Sequence, residues 1–163
     1  MNFSIIRNDS LSGKKASIYS VRVEDDLETL LERFAAENLP NYRDEVRELL
    51  LRLQQIGHST GARETFFKPN EGKPGDGIEA LYDEDDKHLR LYCIRNGRVA
   101  VVVGGGGPKT TRTWQEDPKL KTENELLQRI SKTITKALIA GDLQWSADGL
   151  TLEGDLTLDT DNY

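Results

Sequence analysis

Polar and apolar side chains alternate across Ser17–Val23, with Ile18, Ser20 and Arg22 set against Tyr19, Val21 and Val23. A two-residue period predicts a strand, here the opening one. The period then changes. Leu27, Leu30, Leu31 and Phe34 recur at helical spacing behind Asp25 and Asp26, whose carboxylates suit a helix N-cap. This helix is expected to stop near Asn38 and Pro40. Asn41 can cap a second helix with the apolar side Tyr42, Val46, Leu49, Leu50, Leu53 and Ile56, and Gly57 suits its C-terminal left-handed position. The two helices are expected to form an antiparallel hairpin.

Residues 58–77, rich in Gly, Pro, Asn and Thr, predict mostly loop, although 65–67 favour an extended backbone that can pair at an edge. Residues 78–82 and 89–94 read as successive strands around an acidic turn at 83–86. Asn96-Gly97 predicts a two-residue hairpin loop, because both central residues of a type I′ turn take positive φ. That register sets Arg95 opposite Arg98, Tyr92 opposite Val101 and Arg90 opposite Val103. Thr122 and Glu125 have capping-box spacing ahead of a third helix striped by Leu126, Leu127, Ile130, Ile134 and Leu138. Beyond Gly141, short Leu/Thr alternations separated by turn pairs predict a small hairpin or a mobile tail. The expected fold is α+β: an antiparallel β-meander with an N-terminal strand, a two-helix hairpin on one face and a late third helix. One domain is expected over 1–141, with an acidic C-terminal extension over 142–163.

The 163 residues are 36% hydrophobic and 31% charged, enough for one compact core. No stretch approaches the roughly 18 apolar residues of a membrane span, and residues 1–9 lack the apolar run of a signal peptide. A cytoplasmic protein without a membrane partner is expected. Its formal charge of −6 argues against a nucleic-acid partner until the distribution is considered. Asp142, Asp148, Glu153, Asp155, Asp159 and Asp161, in a segment without Lys or Arg, account for the whole imbalance. Residues 87–115 instead carry Lys87, Arg90, Arg95, Arg98, Lys109 and Arg112 and no acid. Such a block is either a local field that attracts phosphate or a solvated strand edge.

Cys93 is the single cysteine, and with only His58 and His88 beside it the chain has too few soft ligands for structural zinc, so neither metal nor cofactor is expected. A Walker loop ending at Lys109-Thr110 would need Gly where Val103 and Pro108 stand. The run Gly104 to Gly107 then serves either close approach of backbone to a ligand or a flexible strand exit. His58 reads as a helix-end histidine. His88 shares the two-residue period of Arg90 and Tyr92, so a base, a guanidinium and a phenol can meet near one phosphate; the competing reading is an exposed strand-end histidine.

The order strand, helix pair, then "LRLYCIRNGRVAVVVGG" followed by "PKTTRTWQEDP" resembles the RelE/ParE superfamily of toxins from toxin-antitoxin systems, its HigB-like branch in particular. The specific part spans residues 89–118. The resemblance implies a RelE-like fold and a ribosome-dependent mRNA endoribonuclease, metal-independent and silenced by a cognate antitoxin. In such an enzyme the RNA 2′-OH attacks the adjacent phosphate while cations neutralise the developing charge. Arg90 falls on the family's strand arginine, and Lys109 and Arg112 fall in its basic Thr-containing segment. His88 and Tyr92 are candidates for proton transfer. Arg63, Lys68, Arg95 and Arg98 are candidate RNA contacts, and Trp114 either stacks on a base or packs in the core. The family often has another strand arginine where Leu81 and Tyr82 stand here, and its members are usually basic. Arg63 or Lys68 can substitute for the missing arginine, and the acidic extension can fold over the basic block or hang free. The alternative function is a non-catalytic member of the fold, acting by protein contact as gyrase inhibitors do or as an antitoxin-binding module.

Overall fold

The computed structural model describes residues 1–73, 75–81 and 87–163. Its centre is a mixed seven-stranded sheet. The strands are β1 (Asn2–Arg7), β2 (Ser17–Val23), β3 (Phe67–Lys68), β4 (Glu79–Leu81), β5 (Leu89–Asn96), β6 (Ala100–Pro108) and, after the small β7 (Leu143–Trp145) and β8 (Leu152–Gly154) hairpin, β9 (Thr157–Asp159). Their order is β3-β4-β5-β6-β2-β1-β9. The α+β class holds, but the sheet is not an antiparallel meander. β2 lies parallel to β6, with Ile18 opposite Val101 and Ser20 opposite Val103, because a long helical segment and then β3, β4 and β5 carry the chain between them. Ser17–Val23 is also not the opening strand. In β1, Phe3 and Ile5 alternate inward over too short a run to stand out from the sequence.

Helix α1 (Leu30–Gln55) starts one turn later than the Asp25-Asp26 signal, in a capping box: Glu32 N–H donates to Thr29 Oγ1 at 3.2 Å, and Thr29 N–H donates to Glu32 Oε1 at 3.0 Å. The expected hairpin has no connecting loop. Asn41 is not a cap; helical segments on either side of Pro40 join through Tyr42, whose φ of −138° leaves the helical region. The direction of travel nonetheless reverses there. Leu31 N–H reaches Ser20 beside Val103, Glu45 sits at Leu89 opposite Pro108, and Gly61 N–H bonds Ile56 O while Ala62 N–H bonds Arg98 O near the start of β6. The left-handed residue after this helix is Gly61, not Gly57, which instead lets Leu11 O come within 2.0 Å of where a Cβ would stand.

α1 packs on the face formed by Ile18, Leu91, Cys93, Val101 and Val103. Helix α2 (Pro118–Ala140) covers the other, against Tyr19, Ala80, Tyr92 and Val102. α2 begins four residues before Thr122. Asp117-Pro118 supplies N-cap and first-turn proline, and Thr122 Oγ1 merely donates to Pro118 O within the helix. The 142–163 segment is no separate extension: Leu143, Leu152 and Leu158 enter the α2-side core, and β9 pairs with β1. It does not hang free: besides the β9 pairing, its turn at Gly149 meets Asn96 and Val99 at the tip of the β5–β6 hairpin, while a cleft at the other end of those strands is lined by none of its residues. The acidic turn at 83–86 and Tyr82 lie outside the described residues.

The β5–β6 hairpin departs from the two-residue register. Asn96 pairs with Ala100 around Gly97 (φ 55°), and Arg95 pairs with Val101. A bulge between Leu91 and Cys93 then shifts the pairing again, so Arg90 opposes Gly107 rather than Val103 and Tyr92 no longer opposes Val101. The glycine run is neither a ligand cradle nor a loose exit. Gly105 faces Glu123 of α2, and Gly106 lies so close to β5 that its Cβ would stand 1.8 Å from Arg90 O.

Candidate functional site

Arg90 and Tyr92 occupy alternate positions of β5 and therefore face the α2 side together. The longer register brings Arg90 beside the end of β6, where the chain leaves as Lys109. Asp117 then anchors the basic segment. Its Oδ2 accepts from Thr110 Oγ1 at 2.6 Å and Thr110 N–H at 3.2 Å, while Oδ1 accepts from Lys119 N–H at 3.0 Å and Leu120 N–H at 3.1 Å. One carboxylate thus ties that segment to the start of α2. From the other side come Lys68 and a turn at Asn70, whose φ of 61° is a left-handed value that Asn tolerates. These elements enclose a cleft of about 270 Å³ lined by Lys68, Glu71, Arg90, Tyr92, Lys109, Arg112 and Trp114 among others.

Within the cleft Arg90 Nη1 donates to Glu71 Oε1 at 2.6 Å, and Lys68 Nζ stands 3.8 Å from the same oxygen. Both partners of the closer pair are largely buried, with side-chain exposures of 19% and 10%. Lys109 and Arg112 make no ion pair among the described residues. Four cations thus face one carboxylate, a balance that favours an anionic ligand. Tyr92 is fully buried, and its hydroxyl lacks a hydrogen-bond partner. Burial, then the Glu71 charge, push its pKa well above the usual tyrosine value, so the phenol keeps its proton at neutral pH. Trp114 is half-buried against the α2-side core and also lines the cleft.

The other expected residues lie elsewhere. His88 precedes β5, where the strand's alternation does not yet apply. Glu45 of α1 captures it through His88 Nδ1 at 2.9 Å and its N–H at 2.6 Å, and its ring packs on Tyr42 with centroids 5.2 Å apart. Arg95 is consumed internally: Nε donates to Glu79 Oε1 at 2.7 Å, and the guanidinium lies 4.8 Å from the Phe67 ring centroid. Arg98 sits in the hairpin turn at the far end of β5 and β6, where its carbonyl accepts from Ala62 N–H. Arg63 is exposed before a short helical turn, outside the cleft lining. Burial, then the Glu79 charge, push the Cys93 thiol up, as for an inert packing cysteine.

Glu71 carries no signal in the sequence: it sits alone in a Gly/Pro loop, without periodicity or motif. Its placement comes from α2, where Asn124 Nδ2 donates to Glu71 O at 2.8 Å and Gln128 Nε2 donates to Asn124 Oδ1 at 2.6 Å. Among the described residues no group of three or more His, Cys, Asp or Glu side chains is arranged to hold a metal, and no helix is long and apolar enough to cross a membrane.

Asp117 also predicts a pH response. Burial alone would raise its pKa, but the Thr110 hydroxyl and the amides of Leu120, Thr110 and Lys119 outweigh burial and hold it below the usual aspartate range. The stabilisation is therefore full above the unfolded-state value of about 3.9 and is lost as pH falls through the lower folded-state value. Asp117→Ala is expected to cost about 1–2 kcal/mol in urea unfolding at neutral pH and to flatten the acid limb below about pH 4. An unchanged acid limb would assign that limb to other carboxylates. Comparison of the chain with protein-family models, curated proteins and solved structures gives no significant match.

Proposed function

We propose that this cleft binds a ribose-phosphate link and that the protein is a metal-independent endoribonuclease. The observation that carries this reading is the convergence of Lys68, Arg90, Lys109 and Arg112 on one small cleft that also holds an ionisable carboxyl and a buried, unpartnered phenol. Glu71 takes the 2′-OH proton as O2′ forms its bond to phosphorus. The P–O5′ bond breaks, and the Tyr92 phenol donates its proton to O5′. The products are a 2′,3′-cyclic phosphate and a 5′-hydroxyl. Arg90 neutralises charge on the pentavalent phosphorus, while Lys109 and Arg112 hold flanking phosphates. Ribosome-bound mRNA as substrate and an antitoxin as silencing partner rest on the resemblance of residues 89–118 to HigB-like toxins.

The test is cleavage of mRNA on translating ribosomes with end-group analysis. Cyclic-phosphate ends, lost when the cut nucleotide is 2′-deoxy, support the reading. Lys109→Ala and Arg112→Ala are each expected to weaken RNA binding across sequences and to lower the log–log salt slope by about 1. The Arg90–Glu71 pair favours one rival, a protein-contact module of the same fold in which Arg90 is structural. Growth arrest with intact mRNA would select it.

A further inference from the structure

Arg43 and Arg47 stand one helical turn apart on the second arm of α1 with no ion pair among the described residues. Like charges at this spacing repel and destabilise the helix. Between that arm and the β1–β2 loop runs a groove of about 560 Å³. Its apolar surface comes from Leu11, Val46 and Leu50, and Leu39 and Leu51 line it while 41% and 55% exposed. Only five large apolar side chains are exposed among the described residues, and this groove holds two of them. The loop wall is braced: Leu11 N–H donates to Asn8 Oδ1 at 3.0 Å, and His58 Nε2 lies 3.1 Å from Ser10 O. The nearest acid of that loop, Asp9, is already held by Arg7. The groove thus joins apolar contact to uncompensated positive charge on a chain that is acidic overall.

We infer that this groove docks an acidic amphipathic α-helix of a partner protein. From Arg43 to Gln54 the lining spans about 16 Å of helix, enough to accept about three turns of an incoming helix. Leucine-type side chains at i, i+3/i+4 and i+7 would cover Leu11, Leu50 and Leu51. Carboxylates along the flank would meet Arg43 and Arg47 and relieve their repulsion. The groove lies on the α1 side of the sheet, away from the phosphate cleft on the α2 side, so the inference stands independently of the nuclease reading.

The test uses a synthetic helical peptide of about 16 residues with Leu at that spacing and Glu on the flanks, read by fluorescence anisotropy. A Lys-for-Glu version and a scrambled version serve as controls. The full chain is expected to bind the Glu peptide at least about tenfold tighter than either control. The double variant Arg43→Glu/Arg47→Glu is expected to reverse the preference and bind the Lys peptide, while Arg112→Ala changes nothing. Leu51→Asp is expected to weaken the Glu peptide by about tenfold. Equal binding of the scrambled peptide, no preference reversal in the charge-swapped variant, or loss of binding on Arg112→Ala would overturn the inference. So would concentration-dependent self-association abolished by Leu51→Asp, which would assign the groove to a second copy.

Discussion

Arg90→Ala is expected to lower single-turnover RNA cleavage about 10³-fold, the loss found when a preorganised donor to a developing oxyanion is removed, near 4 kcal/mol. The guanidinium spends Nη1 on Glu71, and in the proposed reaction its other edge meets the phosphate. Arg90→Lys keeps the charge without the planar fork and is expected to lose about tenfold to a hundredfold. Alanine also leaves the largely buried Glu71 carboxylate with only Lys68 nearby, so a loss of stability can add to the loss of rate. The double variant Arg90→Ala/Glu71→Gln removes that charge; if it folds like the parent and cleaves more slowly than Glu71→Gln alone, the Arg90 deficit is chemical. Glu71→Gln alone separates binding from turnover. Losing a carboxylate from a cationic cleft should tighten RNA binding while cleavage falls about 10²-fold or more. Cleavage by Arg90→Ala within about threefold of the parent would remove Arg90 from the chemistry.

The second large effect is on the fold. Gly106→Ala is expected to destabilise the protein by about 3 kcal/mol or more in urea unfolding. The added Cβ would stand 1.8 Å from Arg90 O and 2.9 Å from its carbonyl carbon, and backbone in a central strand pair cannot yield as a side chain does. Gly104→Ala is the control. Its Cβ would meet the Leu127 side chain at 2.9 Å, which can rotate, and a loss of about 1–2 kcal/mol is expected. Because the bulge sets Arg90 opposite Gly107, surviving Gly106→Ala protein should also show displaced site chemistry, visible as a cleavage defect beyond its loss of folded fraction. Equal stabilities for the two variants would mean that β5 and β6 separate here more readily than the close approach implies.

The local patterns were legible in the sequence. Alternation marked β2 and β5, helical stripes marked the apolar faces of α1 and α2, and the Asn96-Gly97 pair marked the hairpin, because each arises from neighbours within about two turns or one strand. The basic segment at Lys109 and Arg112, with Arg90 and Tyr92 on one strand face, was equally readable, and these residues share the cleft. The parallel pairing of β2 with β6 has no local signature, since it joins strands about 80 residues apart through a crossover. The hairpin register depended on the turn around Gly97 and on a bulge between Leu91 and Cys93, beside the close approach of Gly106 to Arg90 O. His88 was drawn away by Glu45, and Glu71 was brought in by Asn124, both across long stretches of chain. Local pattern alone was enough to read β2, β5, the apolar faces of both long helices and the gathering of positive charge, whereas β1 and the single kinked α1 were not readable from it. Tertiary structure decided which carboxylates reach those cations, because side-chain pairing depends on how distant elements pack.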